Sequence, residues 1–349
     1  MKVFNLKHKL LIISLCLLLS IAIISVLYLL SKQINDRPNG FIRLTPPQLI
    51  MPLSHLDTKC NSFYIAGVNS LGIYLGNYNT PWELNRVDYK LQNVQTFKIK
   101  WMDSVKIFRG AKIEVDSPFV YLKDGIGAKF IINELSTLKN KDMEIVPYFS
   151  QLIAFNSKSL ILRVVNKKKE NVIIKLFPRS KTIKEGVSLL QKQGDGLFST
   201  DGIFIKIPKK GKVIYVYYYR NQFFLADSNL NLLYRGRTID TINNVQIKVK
   251  HLEYDNQLTI SSPPLIVNKR ACANERYLFV NSALYANNEL TKYLDKVSII
   301  DVYSIESGKY KFSFYLPDFG GIKMTEFKVF GKTLVALYGK YIYTYRLNF

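Results

Sequence analysis

Histidine and cysteine are the scarcest functional residues, three of each in 349. His8, His55 and His251 leave little material for a histidine-built metal centre. Cys16, Cys60 and Cys272 exclude a four-cysteine zinc site and a disulfide-dense scaffold. Acidic side chains are also few, 26 against 49 basic ones, for a formal net charge of +23. Such a charge would suggest disorder only beside low hydrophobicity, and 48% of the residues are hydrophobic. The H-E-x-x-H, C-x-x-C, G-x-S-x-G and G-x-G-x-x-G motifs are all absent. Gly331-Lys332-Thr333 matches the end of a P-loop, but Glu326 stands where its first glycine belongs and the triplet leads into a strand. Asp195-Gly196, Asp201-Gly202 and the stretch Asp227-Ser228-Asn229-Leu230-Asn231 read as turns, because calcium needs six to eight oxygens and none of them ends in a bidentate Glu. No cofactor or metal site is expected.

The most specific positive feature is the run from Leu10 through Leu30, 21 residues without a charge, preceded by Lys2, Lys7 and Lys9. About 20 helical residues cross the hydrocarbon core of a bilayer. Ser14, Ser20 and Ser25 fit there because a hydroxyl can bond the carbonyl one turn earlier. The run is longer than the apolar core of a signal peptide and ends without a small-x-small cleavage site, so it reads as an uncleaved signal-anchor. The flanking lysines place residues 1–9 in the cytoplasm and everything after the span outside. The expected location is the cytoplasmic (inner) membrane, single-pass, with a periplasmic C-terminal domain. Residues 31–60 carry Pro38, Pro46, Pro47 and Pro52 without helical periodicity and read as an extended stalk; alternatively, a part such as Phe41-Ile42-Arg43-Leu44 lies along the globular domain as an edge strand.

Residues 61–349 read as strands almost throughout, consistent with 23 Tyr and 21 Phe. Apolar runs alternate with Gly, Asn, Asp, Ser and Lys turns, as in residues 159–165 then 172–177 across Asn166-Lys167-Lys168-Lys169-Glu170-Asn171. A phrase of strand, turn and strand recurs near Phe63, Phe119, Leu152, Ile214, Leu278 and Leu334. Propeller blades have four strands and run about 40–50 residues, so six blades fit, or seven if the long gaps hide strands. The expected fold is all-β, a β-propeller preceded by one transmembrane helix, with a two-domain β-sandwich as the rival. Alternate residues of Val213-Ile214-Tyr215-Val216-Tyr217 are apolar on both faces, which favours stacked blades over a half-exposed sandwich.

Phe63-Tyr64-Ile65-Ala66-Gly67, then Ile73-Tyr74-Leu75-Gly76-Asn77, then Pro81 resembles the opening blade of an uncharacterised family of exported, membrane-anchored six-bladed β-propeller-like proteins of Gram-negative bacteria. Residues 301–316 are similar to a strand, Gly-turn, strand phrase of six-bladed propellers in general. The resemblance implies a fold and a compartment, and it brings no catalytic motif. The functional expectation is a tethered binding or scaffolding module for an envelope protein, peptide or polysaccharide, with the bilayer as partner of the N-terminal helix. The alternative is a propeller-type hydrolase or lactonase with a metal site in the central channel. Nucleic acid is not expected: Lys167-Lys168-Lys169 and Lys209-Lys210-Gly211-Lys212 sit in turns rather than on a basic stripe with stacking aromatics. Cys60 and Cys272 lie beyond the span, where disulfides are permitted, and are the one candidate pair there. Their predicted strands fall in non-adjacent blades, which argues against the bond.

Overall fold

Short β-branched and aromatic runs, cut by turn residues, become the strands of a closed ring. The computed structural model describes residues 6–35, 39–101, 106–156, 159–252, 257–290 and 294–349. Six four-stranded antiparallel sheets form the blades of a β-propeller. Their inner strands, opening blades 1 to 6, are Phe63–Asn69, Lys112–Asp116, Gln151–Asn156, Gly202–Ile207, Asn268–Ala273 and Glu326–Phe330. Blade 6 returns to pack its inner strand against that of blade 1. A two-stranded hairpin, Val249–Leu252 with Gln257–Ile260, lies between blades 4 and 5.

Both faces of each blade are apolar because each faces a neighbour, and every one of the six interfaces has its own cluster. Blade 4 illustrates the alternation. Val213, Tyr215 and Tyr217 pack toward blade 3, while Ile214 and Val216 pack toward blade 5. All five are at most 1% exposed, and each contributes about 1.5–3 kcal/mol of hydrophobic burial. Blades 1 and 2 come close at Gly67, where an added Cβ would lie 2.3 Å from the Val115 carbonyl oxygen.

Residues 39–57 correct the stalk reading. The outer strand of blade 6 is Ile50–Asp57, paired antiparallel with Tyr341–Leu347, so the N-terminal part of the chain closes the ring. Pro52 is tolerated because an outermost strand has one neighbour, and the register shifts between Pro52 and Ser54. Upstream, residues 39–49 form a strap along blade 5. Phe41 is buried beside Val267, Leu284 and Ala286, and the Ser313 amide donates to the Leu44 carbonyl. Arg43, 2% exposed, is gripped from two sides. Its Nε and Nη2 donate to the two oxygens of Asp301 at 2.7 and 3.1 Å, and Nη1 donates to Glu289 at 2.6 Å. The Ser313 hydroxyl donates to Asp301, and the Tyr315 hydroxyl to Glu289, both at 2.6 Å.

The N-terminal helix, Leu6–Asn35, contains Leu10–Leu29, which is long and apolar enough to cross a membrane and unburied throughout. Ser14 and Ser20 donate back to the carbonyls of Leu11 and Cys16, as an apolar setting requires. Residues 1–5 of the expected tail lie outside the described residues.

The strand order also fixes two faces. Connections between the second and third strands of a blade, and from one blade to the next, emerge on one face. Connections from first to second and from third to fourth strand emerge on the other. The strap joins the ring on the first, where Asn39 Nδ2 donates to the Tyr285 carbonyl and the Thr241 hydroxyl donates to the Asn39 carbonyl. We call it the proximal face and the other the distal face.

Candidate functional site

The channel at the centre of the ring is charged. Glu114 and Asp116 alternate with apolar Ile113 and Val115 along the inner strand of blade 2, so both point to the same side. Lys123 donates at 2.6 Å both to Glu114 and to the Leu152 carbonyl of blade 3. Lys206 reaches across from blade 4 to pair with Asp116, donates to the Ala154 carbonyl at 2.9 Å, and lies 5.5 Å from the Phe155 ring centroid. Burial pushes the Glu114 carboxyl up, but Lys123, Lys328 and Lys206 together hold it below its ordinary range. Burial presses the Lys123 ammonium down, and Glu114 offsets this only in part. Blades 2, 4 and 6 thus meet electrostatically, with three lysines facing two acids. Asp116 ends its strand and Lys206 is one residue from the end of its own, so that pair lies toward the distal face, whereas Lys123, opposite Lys112, lies toward the proximal one.

Other side chains serve as seams between blades. Gln151 donates to the Gly202 carbonyl at 2.6 Å and accepts from the Phe204 amide at 2.8 Å. Glu326 of blade 6 accepts from the Ile65 amide of blade 1 at 3.0 Å. Arg163 of blade 3 pairs with Asp201 and donates to the Tyr215 hydroxyl at 2.7 Å. The acids around the channel are therefore engaged by cations or amides. Among the described residues, no group of three or more His, Cys, Asp or Glu side chains is placed to hold a metal ion. A held-down, ion-paired Glu114 suits ring cohesion better than proton transfer near neutral pH.

The loops divide by face. The distal face carries the Lys209-Lys210 turn and the exposed Arg179, Lys181, Arg276, Lys309 and Lys332; of its acids, Glu275 is paired with Lys209 at 3.0 Å. The proximal face carries Lys167-Lys168-Lys169 and, beside it, a polar cleft of about 560 Å³ lined in part by Lys167, Lys168, Glu170 and Lys192.

The residues singled out in the sequence take clear places. Leu10 and Leu30 both lie in the N-terminal helix. Cys60 and Cys272 are free thiols and are not brought together. Cys60 is exposed in the link between blades 6 and 1, whereas Cys272 is buried in the cluster between blades 5 and 6. Burial pushes the Cys272 thiol up to about 12, so it is protonated and unreactive. The turn readings are consistent with the hydrogen bonding: Asp195 accepts from the amides of Leu197 and Phe198, Asp227 accepts from those of Asn229 and Asn231, and Gly331 turns with φ +56°. Missed were Glu114, Asp116, Lys206 and Lys328. Alternation of charge with apolar residues on three separate inner strands was the available signal, but only ring closure brings those strands together.

No family model matches the chain, and no curated protein matches it in sequence. Its similarity is to solved structures. A member of the DUF4221 family from Bacteroides vulgatus superposes with a TM-score of 0.53 at 11% identity, covering 89% of this chain and 99% of that one. A Bacteroides fragilis protein proposed to be exported gives 0.47 at 10% identity, covering 88% and 98%. Virginiamycin B lyase from Staphylococcus aureus gives 0.46 at 9% identity, covering 85% and 99%. At these identities the likeness is one of fold, and the chain is a six-bladed propeller with an apolar N-terminal helix.

Proposed function

We propose that the chain is a propeller tethered by its N-terminal helix to the outer side of the cytoplasmic membrane, where it binds or scaffolds an anionic envelope component, a polysaccharide or an acidic protein segment. The observation that carries this reading is the lysine excess along the channel wall, Lys123, Lys206 and Lys328 against Glu114 and Asp116, beside a distal face of exposed basic turns. Rigid propellers recognise partners through such loops. Clefts lined by one sign of charge attract ligands of the other.

The test is binding of a soluble anionic polysaccharide by the full chain in detergent, with a neutral polysaccharide of equal length as control. Lys328→Ala together with Lys332→Ala and Lys309→Ala should weaken binding and flatten its salt dependence. Equal binding of both polymers, or no effect of the triple substitution, would remove the reading. Location is tested separately by labelling Cys60 with a membrane-impermeant maleimide in cells whose outer membrane is permeabilised. Labelling only after lysis would place the propeller inside.

A further inference from the structure

We infer that the proximal face of the propeller lies against an anionic lipid surface, so that the disc is seated on the bilayer rather than held away from it. The inference rests on the anchored reading above and adds which face meets the membrane and through what chemistry.

Three observations converge. The first is reach. The helix ends at Asn35, and Asn39 is already fixed to the ring through Tyr285 and Thr241. Four residues span at most about 14 Å, at ~3.6 Å each fully extended. A helix spanning the bilayer therefore holds the proximal rim within about that distance of the headgroups, whatever path the link takes.

The second is the placement of exposed apolar side chains. Among the described residues, all the exposed large apolar side chains in connections between strands lie on the proximal face, except Leu71. Trp82, Phe108, Ile126, Tyr148, Val187 and Leu290 are the prominent ones, with Tyr148 at 74%, Val187 at 81% and Leu290 at 73% exposure. They come from blades 1 to 3 and from blade 5, so they spread around the rim and define a face rather than one edge of the disc. Solvent-facing loops have no need of such residues on one side only. Trp and Tyr are the side chains that favour the membrane interface, with an apolar body and a polar tip.

The third is charge. Lys106 and Lys129 flank Phe108, 5.4 and 5.9 Å from its ring centroid, and Lys100 and Arg109 are exposed in the same connection. Lys167-Lys168-Lys169 follows exposed Val165 on the same face. Lysines beside interfacial aromatics are what anionic headgroups attract.

Trp82 and Trp101 are the only tryptophans, which makes emission a direct reporter. The full chain is placed in nanodiscs of phosphatidylcholine and phosphatidylglycerol, with and without bromine on the acyl chains near the headgroup. The signal of Trp82 is the difference between the protein and its Trp82→Phe variant, since buried Trp101 is common to both. We expect Trp82 to be quenched, and less so when Lys167, Lys168 and Lys169 are replaced by Glu or when salt is raised to 1 M, where screening acts within about 3 Å. Leu71→Trp in the Trp82→Phe background carries the reporter on the distal face and should stay unquenched. If the protein remains in the discs but Trp82 is unquenched, or the Leu71 reporter is quenched as strongly, the seating is wrong and the anchor stands. If the protein elutes free of the discs, the anchored reading fails and takes the seating with it.

Discussion

Replacing Arg43 should detach the strap and destabilise the whole ring. The guanidinium is fully enclosed, and it supplies two of the three hydrogen bonds to Asp301 named above. In Arg43→Met, Asp301 keeps only the Ser313 hydroxyl, whereas Glu289 keeps both the Tyr315 hydroxyl and the Ala286 amide. The cost therefore falls mainly on Asp301. Breaking a buried pair and leaving one charge uncompensated costs about 3–5 kcal/mol, and the surviving bonds argue for the lower end. With unfolding entropy of ~2.1 cal/mol/K per residue over roughly 300 residues, ~3 kcal/mol lowers Tm by about 5 °C. Near-UV circular dichroism of the full chain in detergent reads Tm. Hydrogen exchange at Ser313 and Asn287, whose amides donate to the Leu44 and Phe41 carbonyls, reports on the strap itself. Arg43→Met with Asp301→Asn should recover much of the loss, because no bare carboxylate remains at that position. An Arg43→Met protein with unchanged Tm and unchanged exchange at those two amides would refute the account.

Three further outcomes follow from individual contacts. Gly67→Ala pushes a methyl into the Val115 backbone between blades 1 and 2, and overpacking of this kind costs about 1–3 kcal/mol; the urea midpoint should fall without a change in m. Charged maleimide should label Cys60 rapidly in the native protein, while Cys272 should label only after unfolding; native labelling at Cys272 would contradict its burial. Burial pushes Asp240, 5% exposed, up to about 6 from an ordinary 3.8, although Thr238 and Ile242 donate to it. The folded state thus holds this proton more tightly than the unfolded chain, so its contribution favours folding at acid pH and is lost as pH rises from about 4 through 6, by ~3 kcal/mol. Asp240→Asn should therefore gain Tm relative to the unsubstituted protein at pH 7 and lose that advantage at pH 4.

Blade number was legible because a blade's two middle strands are buried on both faces and stand out as apolar runs. The phrases near Phe63 and Leu152 fall on inner strands, whereas those near Phe119, Ile214, Leu278 and Leu334 fall on second strands. That change of phase, together with the hairpin between blades 4 and 5, accounts for the uneven spacing. The strap was legible only in part: residues 41–44 lie along the domain, as the alternative to the stalk had it, but the outer strand Ile50–Asp57 and the grip on Arg43 were not foreseen. Its prolines are acceptable at an outer edge for the same reason that they look like a stalk, and Arg43 meets its carboxylates only across 246 and 258 residues of chain. The charged channel failed for a related reason. A lysine on one inner strand announces nothing until closure sets it opposite an acid two blades away.

Helix and ring closure are joined by one short segment. The segment beyond Asn35 reaches the outer strand of blade 6 at Ile50, 15 residues on, pairing Ile50 with Leu347 and Asp57 with Tyr341. Contacts of such sequence separation form late, since the loop entropy between them must be lost before pairing returns any stability. During synthesis Ile50–Asp57 emerges well before its partner strand Tyr341–Leu347. On the anchored reading proposed above, the closing strand Ile50–Asp57 is tethered a short way from the helix, and its pairing with Tyr341–Leu347 completes the ring. Strap and outer strand are two consequences of completing the last blade with the segment that follows the helix.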